Sequence, residues 1–223
     1  MRIKILRRQA PDSEAYWESF SYTGPREISV AALLEHLNAR QELVNEAGQE
    51  TSRISWDCSC LQGVCGACAM VINGTPALAC ETFLKDLPEK ELVLRPLSKF
   101  PIVRDLMVDR SSIHENLKRA NVTIGEYDPK PGEDHRQQYE SAKCLKCGLC
   151  LEVCPNYTSG EHFYGALFVN DCYLVSSRSR QKAKQIRQSY GEHFGSGCSK
   201  SLSCMDVCPM QLPLLRSMAK LNR

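Results

Sequence analysis

Cys60, Cys65 and Cys68 are separated by four and then two residues, and Cys80 follows them. Cys144, Cys147, Cys150 and Cys154 are separated by two, two and three residues and run into Pro155. Cys198, Cys204 and Cys208 are separated by five and three residues and run into Pro209. These patterns take eleven of the thirteen cysteines and leave Cys58 and Cys172 over. Thiolates at such spacings are ligands for iron–sulfur clusters. The first pattern is that of plant-type [2Fe–2S] centres, and the second is the bacterial ferredoxin run. Clusters of this kind move single electrons, so three of them in a chain of 223 residues suggest a relay.

A thiolate approaches its iron best from a looped backbone with little side-chain bulk, where N–H groups can point at sulfur. Gly63 and Gly66 give the first loop access to positive φ, and Ala67 is small. Four thiolates also suit zinc, but zinc ribbons pair two Cys-x-x-Cys knuckles and this segment has one. In the ferredoxin run the fourth cysteine serves the other cluster. Cys144, Cys147 and Cys150 therefore need an outside ligand, and Cys208 is the reciprocal candidate for a [4Fe–4S] centre. Cys154, Cys198 and Cys204 remain. A second full run would place a cysteine where Ser201 stands. Three thiolates suit a [3Fe–4S] cluster; the alternative is [4Fe–4S] with the Ser201 oxygen as fourth ligand, and oxygen is the poorer donor to such iron. Cys172 reads as a small buried residue. Cys58 would give an off-pattern spacing as a substitute ligand.

The elements that must position these loops divide the chain. Ile3 and Ile5 alternate with charged residues, as in a half-buried strand, and Tyr16–Tyr22 is a possible partner. Ser29 is an N-cap candidate before Val30, Leu33, Leu34 and Leu37, one apolar helical face. Asn73-Gly74 between short apolar runs predicts a hairpin, and Leu92–Leu94 a further strand. Beyond these, Asp105–Arg119, His135–Lys143, Ser179–Tyr190 and Gln211–Leu221 read as helices. Gly125–Asp134 is rich in Pro, Gly and charge and resists both helix and strand. The expected organisation is mixed α/β over residues 1–110 and α-helical over 111–223, folded around metal.

Formal net charge is +2, so there is no basic footprint for nucleic acid. Each ligated cluster adds about −2 in its oxidised state, which makes the loaded protein acidic. Met1–Arg8 lacks the apolar core of a signal peptide, and no stretch approaches a membrane span. The chain reads as soluble and facing the cytoplasm, where thiols stay reduced and metal is favoured over disulfides. His36, His114, His135, His162 and His193 read as packing or surface residues, since cysteines already complete the sites. No residue reads as a general acid, base or nucleophile. The basic run Arg178–Lys184 reads as a solvated helix face, or as a contact with a partner or lipid headgroups.

Taken together, Trp56–Cys80, Phe100–Asp109 and both Cys-Pro runs resemble the iron–sulfur subunit of the succinate dehydrogenase/fumarate reductase family. The Phe100–Asp109 match is specific, because no ligand spacing would have produced it. The resemblance implies an α+β chain: an N-terminal β-grasp domain like plant-type ferredoxin, then an all-α domain like bacterial dicluster ferredoxins. It implies [2Fe–2S], [4Fe–4S] and [3Fe–4S] clusters in series. It also implies a flavoprotein subunit carrying FAD and the succinate/fumarate site, and a membrane cytochrome b subunit with haem and quinone. The chain would then lie peripherally at the cytoplasmic face of the membrane. Mitochondrial-type members carry tryptophan soon after the first Cys-Pro and histidine after the cysteine of the third pattern, both near ubiquinone; here Pro155-Asn156-Tyr157-Thr158 and Ser199 stand instead. Cys154-Pro155-Asn156 and Trp56-Asp57 look closer to the menaquinone-linked bacterial branch. A soluble fumarate reductase, or a related oxidoreductase with a non-quinone donor, is the alternative setting.

Overall fold

Period-two alternation builds the first sheet. In β1 (Arg2–Arg7) the side chains of Ile3, Ile5 and Arg7 are all fully buried on one face. β2 (Tyr16–Ser21) pairs antiparallel with β1. α1 (Val30–Asn38) follows, with the Ser29 hydroxyl accepting from Ala32 N–H at 3.2 Å as the cap. The short ribbon β3 (Leu43–Val44) and β4 (Glu50–Thr51) comes next. β5 (Ala69–Ile72) and β6 (Thr75–Leu78) form the expected hairpin, with Asn73 at φ 48° and Gly74 at φ 83°. β7 (Glu91–Arg95) lies parallel to β1 and antiparallel to β5. The five-stranded order is β2-β1-β7-β5-β6. Val30, Leu33, Leu34 and Leu37 of α1 are buried with the inner residues of the sheet, the β-grasp arrangement expected.

The structure, a computed structural model, describes residues 1–129 and 132–223. It divides into two units, Met1–Asp109 and Arg110–Arg223. The segment Gly125–Asp134 contains Lys130 and Pro131, which lie outside the described residues. Asp105–Arg119 is not one helix. β8 (Ile102–Arg104) and β9 (Met107–Val108) form a hairpin, and only then does α2 (Ser111–Arg119) begin. The reason is Asp105, which turns at φ 45° and whose carboxylate accepts from Arg7 Nε, Arg8 N–H and Ser55 N–H at 2.9–3.1 Å.

The second unit is helical: α2, α3 (His135–Ala142), α4 (Leu149–Glu152), α5 (Gly165–Arg178), α6 (Arg180–His193), α7 (Ser203–Asp206) and α8 (Leu214–Leu221). α5 is its axis and packs against α3, α4, α6 and α8. Phe168, Val169, Cys172 and Tyr173 of α5 bury against Ile186, Tyr190 and Phe194. Gln211 lies outside α8, at φ 47°, and Pro213 stands at the helix cap. The basic run is not simply solvated. Arg180 pairs with Asp128 at 2.6 Å, Lys182 reaches the Thr123 carbonyl at 2.9 Å, and Arg178 sits over the Tyr127 ring. No helix among the described residues is long and apolar enough to cross a membrane.

Candidate iron–sulfur centres

The first loop is held from two sides. The β5–β6 hairpin brings Cys68 and Cys80 together, with Ala79 N–H donating to the Cys68 carbonyl and the two Sγ atoms 3.4 Å apart. α1 fixes the strand exit: its first N–H groups, on Val30 and Ala31, donate to the carbonyls of Thr82 and Ala79, which flank Cys80. Between Cys60 and Cys68 the backbone turns through positive φ at Leu61 (54°), Gly63 (71°) and Gly66 (76°). That winding aims N–H groups at sulfur: Gln62 at Cys60 (3.4 Å), Ala67 at Cys65 (3.4 Å) and Gly63 at Cys80 (3.3 Å). A Cβ on Gly63 would stand 2.7 Å from the Glu81 carboxyl group. The N–H of Gln62, with the Cys65 thiol and further backbone N–H groups, pulls the Cys60 thiol down to about 7, while burial pushes Cys80 up to about 12. Cys58 is exposed and Cys172 fully buried.

In the second unit two loops repeat one geometry. Lys146 and Lys200, each two residues after a cysteine, have φ 55° and 59°. Gly148 and Leu202 have φ 86° and 61° and lead directly into the four-residue helices α4 and α7. Cys144, Cys150 and Cys154 thereby correspond to Cys198, Cys204 and Cys208, and Ser201 occupies the place of Cys147.

The thiols gather in two groups. Cys144, Cys147, Cys150 and Cys208 line one pocket with Ala166, Leu149 and Met210. Cys154, Cys198 and Cys204 line a second with Ala166, Ser201 and Phe163. Ala166 of α5 borders both. The first pocket is dry-walled: burial pushes Cys147 up to about 11 and Cys150 well above the ordinary thiol range. Burial also raises Cys144; Lys146 opposes that rise and Asp171 adds to it. In the second pocket Lys200 N–H donates to Cys198 Sγ at 3.4 Å. Among the described residues no three His, Cys, Asp or Glu side chains close around a single ion. The irons of a cluster are bridged by sulfide, so none takes more than two of the protein's thiolates: two per iron in [2Fe–2S], one per iron in [4Fe–4S] and [3Fe–4S]. His193 stacks on Tyr164 at 4.1 Å, His36 meets Tyr22 edge-on at 5.7 Å, and His114 and His135 are exposed.

Three ion pairs beside these loops, two of them made by Arg7, escaped the sequence reading. Arg7, wholly buried, bonds Glu18 at 2.7 Å, Asp105 at 2.9 Å and the carbonyls of Ser52 and Arg53, just ahead of the first cysteine loop. Its parity with Ile3 and Ile5 was the available signal. Lys146 pairs with Asp171 of α5, and nothing in the sequence linked those two.

This fold and donor set define the class: an iron–sulfur protein whose first unit is a ferredoxin-type [2Fe–2S] domain. Residues 2–115 match the family described as 2Fe-2S iron-sulfur cluster binding domain. The chain is 38% identical to the succinate dehydrogenase iron–sulfur subunit of Bacillus subtilis, over all of this chain and 91% of that one. It is 32% identical to the fumarate reductase iron–sulfur subunit of Wolinella succinogenes, over 76% of this chain and 77% of that one. In fold it resembles a chain of the Mycobacterium smegmatis Sdh1 complex, with a TM-score of 0.74 at 22% identity over 99% of this chain and 94% of that one. The chain belongs to the family of succinate dehydrogenase and fumarate reductase iron–sulfur subunits.

Proposed function

We propose that this chain is the electron-transfer subunit of a succinate:quinone oxidoreductase. It links a flavoprotein subunit, which carries FAD and the succinate/fumarate site, to a membrane cytochrome b subunit that carries haem and exchanges electrons with menaquinone. The chain is held peripherally at the cytoplasmic face of the membrane by that cytochrome subunit. Residues 1–110 hold [2Fe–2S] through Cys60, Cys65, Cys68 and Cys80. Residues 111–223 hold [4Fe–4S] through Cys144, Cys147, Cys150 and Cys208, and [3Fe–4S] through Cys154, Cys198 and Cys204.

The observation that supports this reading is the exchange of partners between the two Cys-Pro runs. Cys208 shares a pocket with Cys144, Cys147 and Cys150, and Cys154 shares the other with Cys198 and Cys204. Bound there, the clusters supply one-electron steps between a two-electron flavin and a quinone. The residues do the rest. The Gln62, Gly63, Ala67 and Lys200 N–H groups stabilise thiolate charge. Leu149, Leu167 and Leu212 keep water from the first pocket of the second unit. Phe163 and Phe194 wall the second.

Anaerobically purified complex should contain about nine irons on this subunit, the total of the three cluster types. The oxidised protein should show the electron-spin signal of a three-iron centre, and succinate should reduce the [2Fe–2S] centre, so that its electron-spin signal appears. A four-iron signal from the Cys154 group refutes the [3Fe–4S] assignment. Absence of iron and acid-labile sulfide refutes the whole reading.

A further inference from the structure

We propose that the Lys146–Asp171 ion pair sets the reduction potential of the centre held by Cys144, Cys147, Cys150 and Cys208: Lys146 places a positive charge inside the ligand run, and Asp171 tempers it from α5. The proposal rests on the ligand assignment above and names two residues that no cluster needs as ligands.

Lys146 lies between two thiols of the run, and its ammonium group contacts both carboxylate oxygens of Asp171. The Asp171 side chain is 10% exposed and that of Lys146 29%. Charges so placed are weakly screened by solvent and salt. They act on the Cys144 ligand with opposite sign, Lys146 easing negative charge there and Asp171 opposing it. An electron added to the centre is one more negative charge at the same place. The lysine therefore favours the reduced state and raises the potential, and the aspartate lowers it.

The pair is not required to shape the loop. The matching loop, around Lys200, has the same positive φ, and its N–H bonds Cys198 Sγ, yet Lys200 is exposed. Nor does the pair alone tie the run to α5. Asn170 donates to the Ser141 carbonyl at 2.9 Å, and Cys144 N–H reaches the same carbonyl at 3.4 Å. Arg110 holds the Cys147 carbonyl at 3.2 Å. His114 also acts on Asp171, so comparisons belong at one pH.

The test is potentiometric titration of the holoprotein, followed by electron-spin resonance, with iron and sulfide analysis of every sample. The variants are Lys146→Met, Lys146→Arg and Asp171→Asn. Lys146→Met should move the potential of the four-iron centre down, Asp171→Asn should move it up, and Lys146→Arg should stay with the wild type. If Asp171→Asn does not retain the cluster, the contrast between Met and Arg at position 146 decides. Shifts of one sign in Lys146→Met and Asp171→Asn, or Met and Arg variants that behave alike, overturn the proposal while the ligand assignment stands. A wild type without a four-iron centre overturns both.

Discussion

At the residue scale, the matched loops of the second unit differ at one informative position. Gly148 and Leu202 both take positive φ before their short helices, but only glycine does so without its Cβ crowding the next carbonyl oxygen. Leu202 is also 42% exposed, so little packing offsets that strain. Leu202→Gly should stabilise the holoprotein by about 1 kcal/mol, seen as a higher urea midpoint. A lower midpoint would mean that leucine contacts in the second pocket outweigh the backbone term. Asp134 caps α3 through Gln137 N–H at 3.0 Å. That bond, helped by Arg216 and Lys220 against a burial cost, holds its carboxyl below the ordinary range. A depressed value means that the stabilisation is full above the unfolded-state pKa and fades as pH falls through the folded one. Compared with Asp134→Ser, wild-type α3 should show slower amide exchange near neutrality, and that advantage should shrink on acidification. An advantage that is independent of pH would rule out the carboxylate as its source.

At the element scale, sequence patterns located what is amphipathic and missed what is buried all round. The α1 stripe, the Ser29 cap and the Asn73-Gly74 turn were legible because each is a local rule that tertiary packing leaves intact. α5 was not. Its buried set runs from Gly165 to Ser177 and includes Asn170 and Asp171, so no single apolar face marks it. Arg7 was missed for a related reason: it carries a charge, yet strand parity with Ile3 and Ile5 puts it inside. Its guanidinium is the counter-ion of both Glu18 and Asp105. Removing one partner of a buried pair leaves the others uncompensated, at a cost of about 3–5 kcal/mol. Arg7→Met should lower stability by that order in denaturant titration of the holoprotein and loosen Ser52–Ser55. Retained stability would show that water reaches the two carboxylates. The cysteine spacings were legible for the opposite reason. Ligand geometry constrains the sequence directly, whereas the partner exchange between Cys154 and Cys208 depends on how α4, α5 and α7 pack.

For the whole molecule, a relay needs contacts as well as centres. Leu61 and Val64 project from the loop between Cys60 and Cys68 and are 38% and 63% exposed. Apolar side chains at the rim of a redox loop fit the proposed docking of the flavoprotein subunit, because a short dry contact favours electron transfer and an isolated protein gains nothing from them. Val64→Asn keeps size and charge while removing apolar surface. It should weaken association with the flavoprotein subunit about tenfold, equal to about 1.4 kcal/mol, and leave the visible spectrum of the purified chain unchanged. Unchanged affinity would move the flavoprotein contact away from this loop. An altered spectrum would mean that Val64 shapes the cluster instead of the contact.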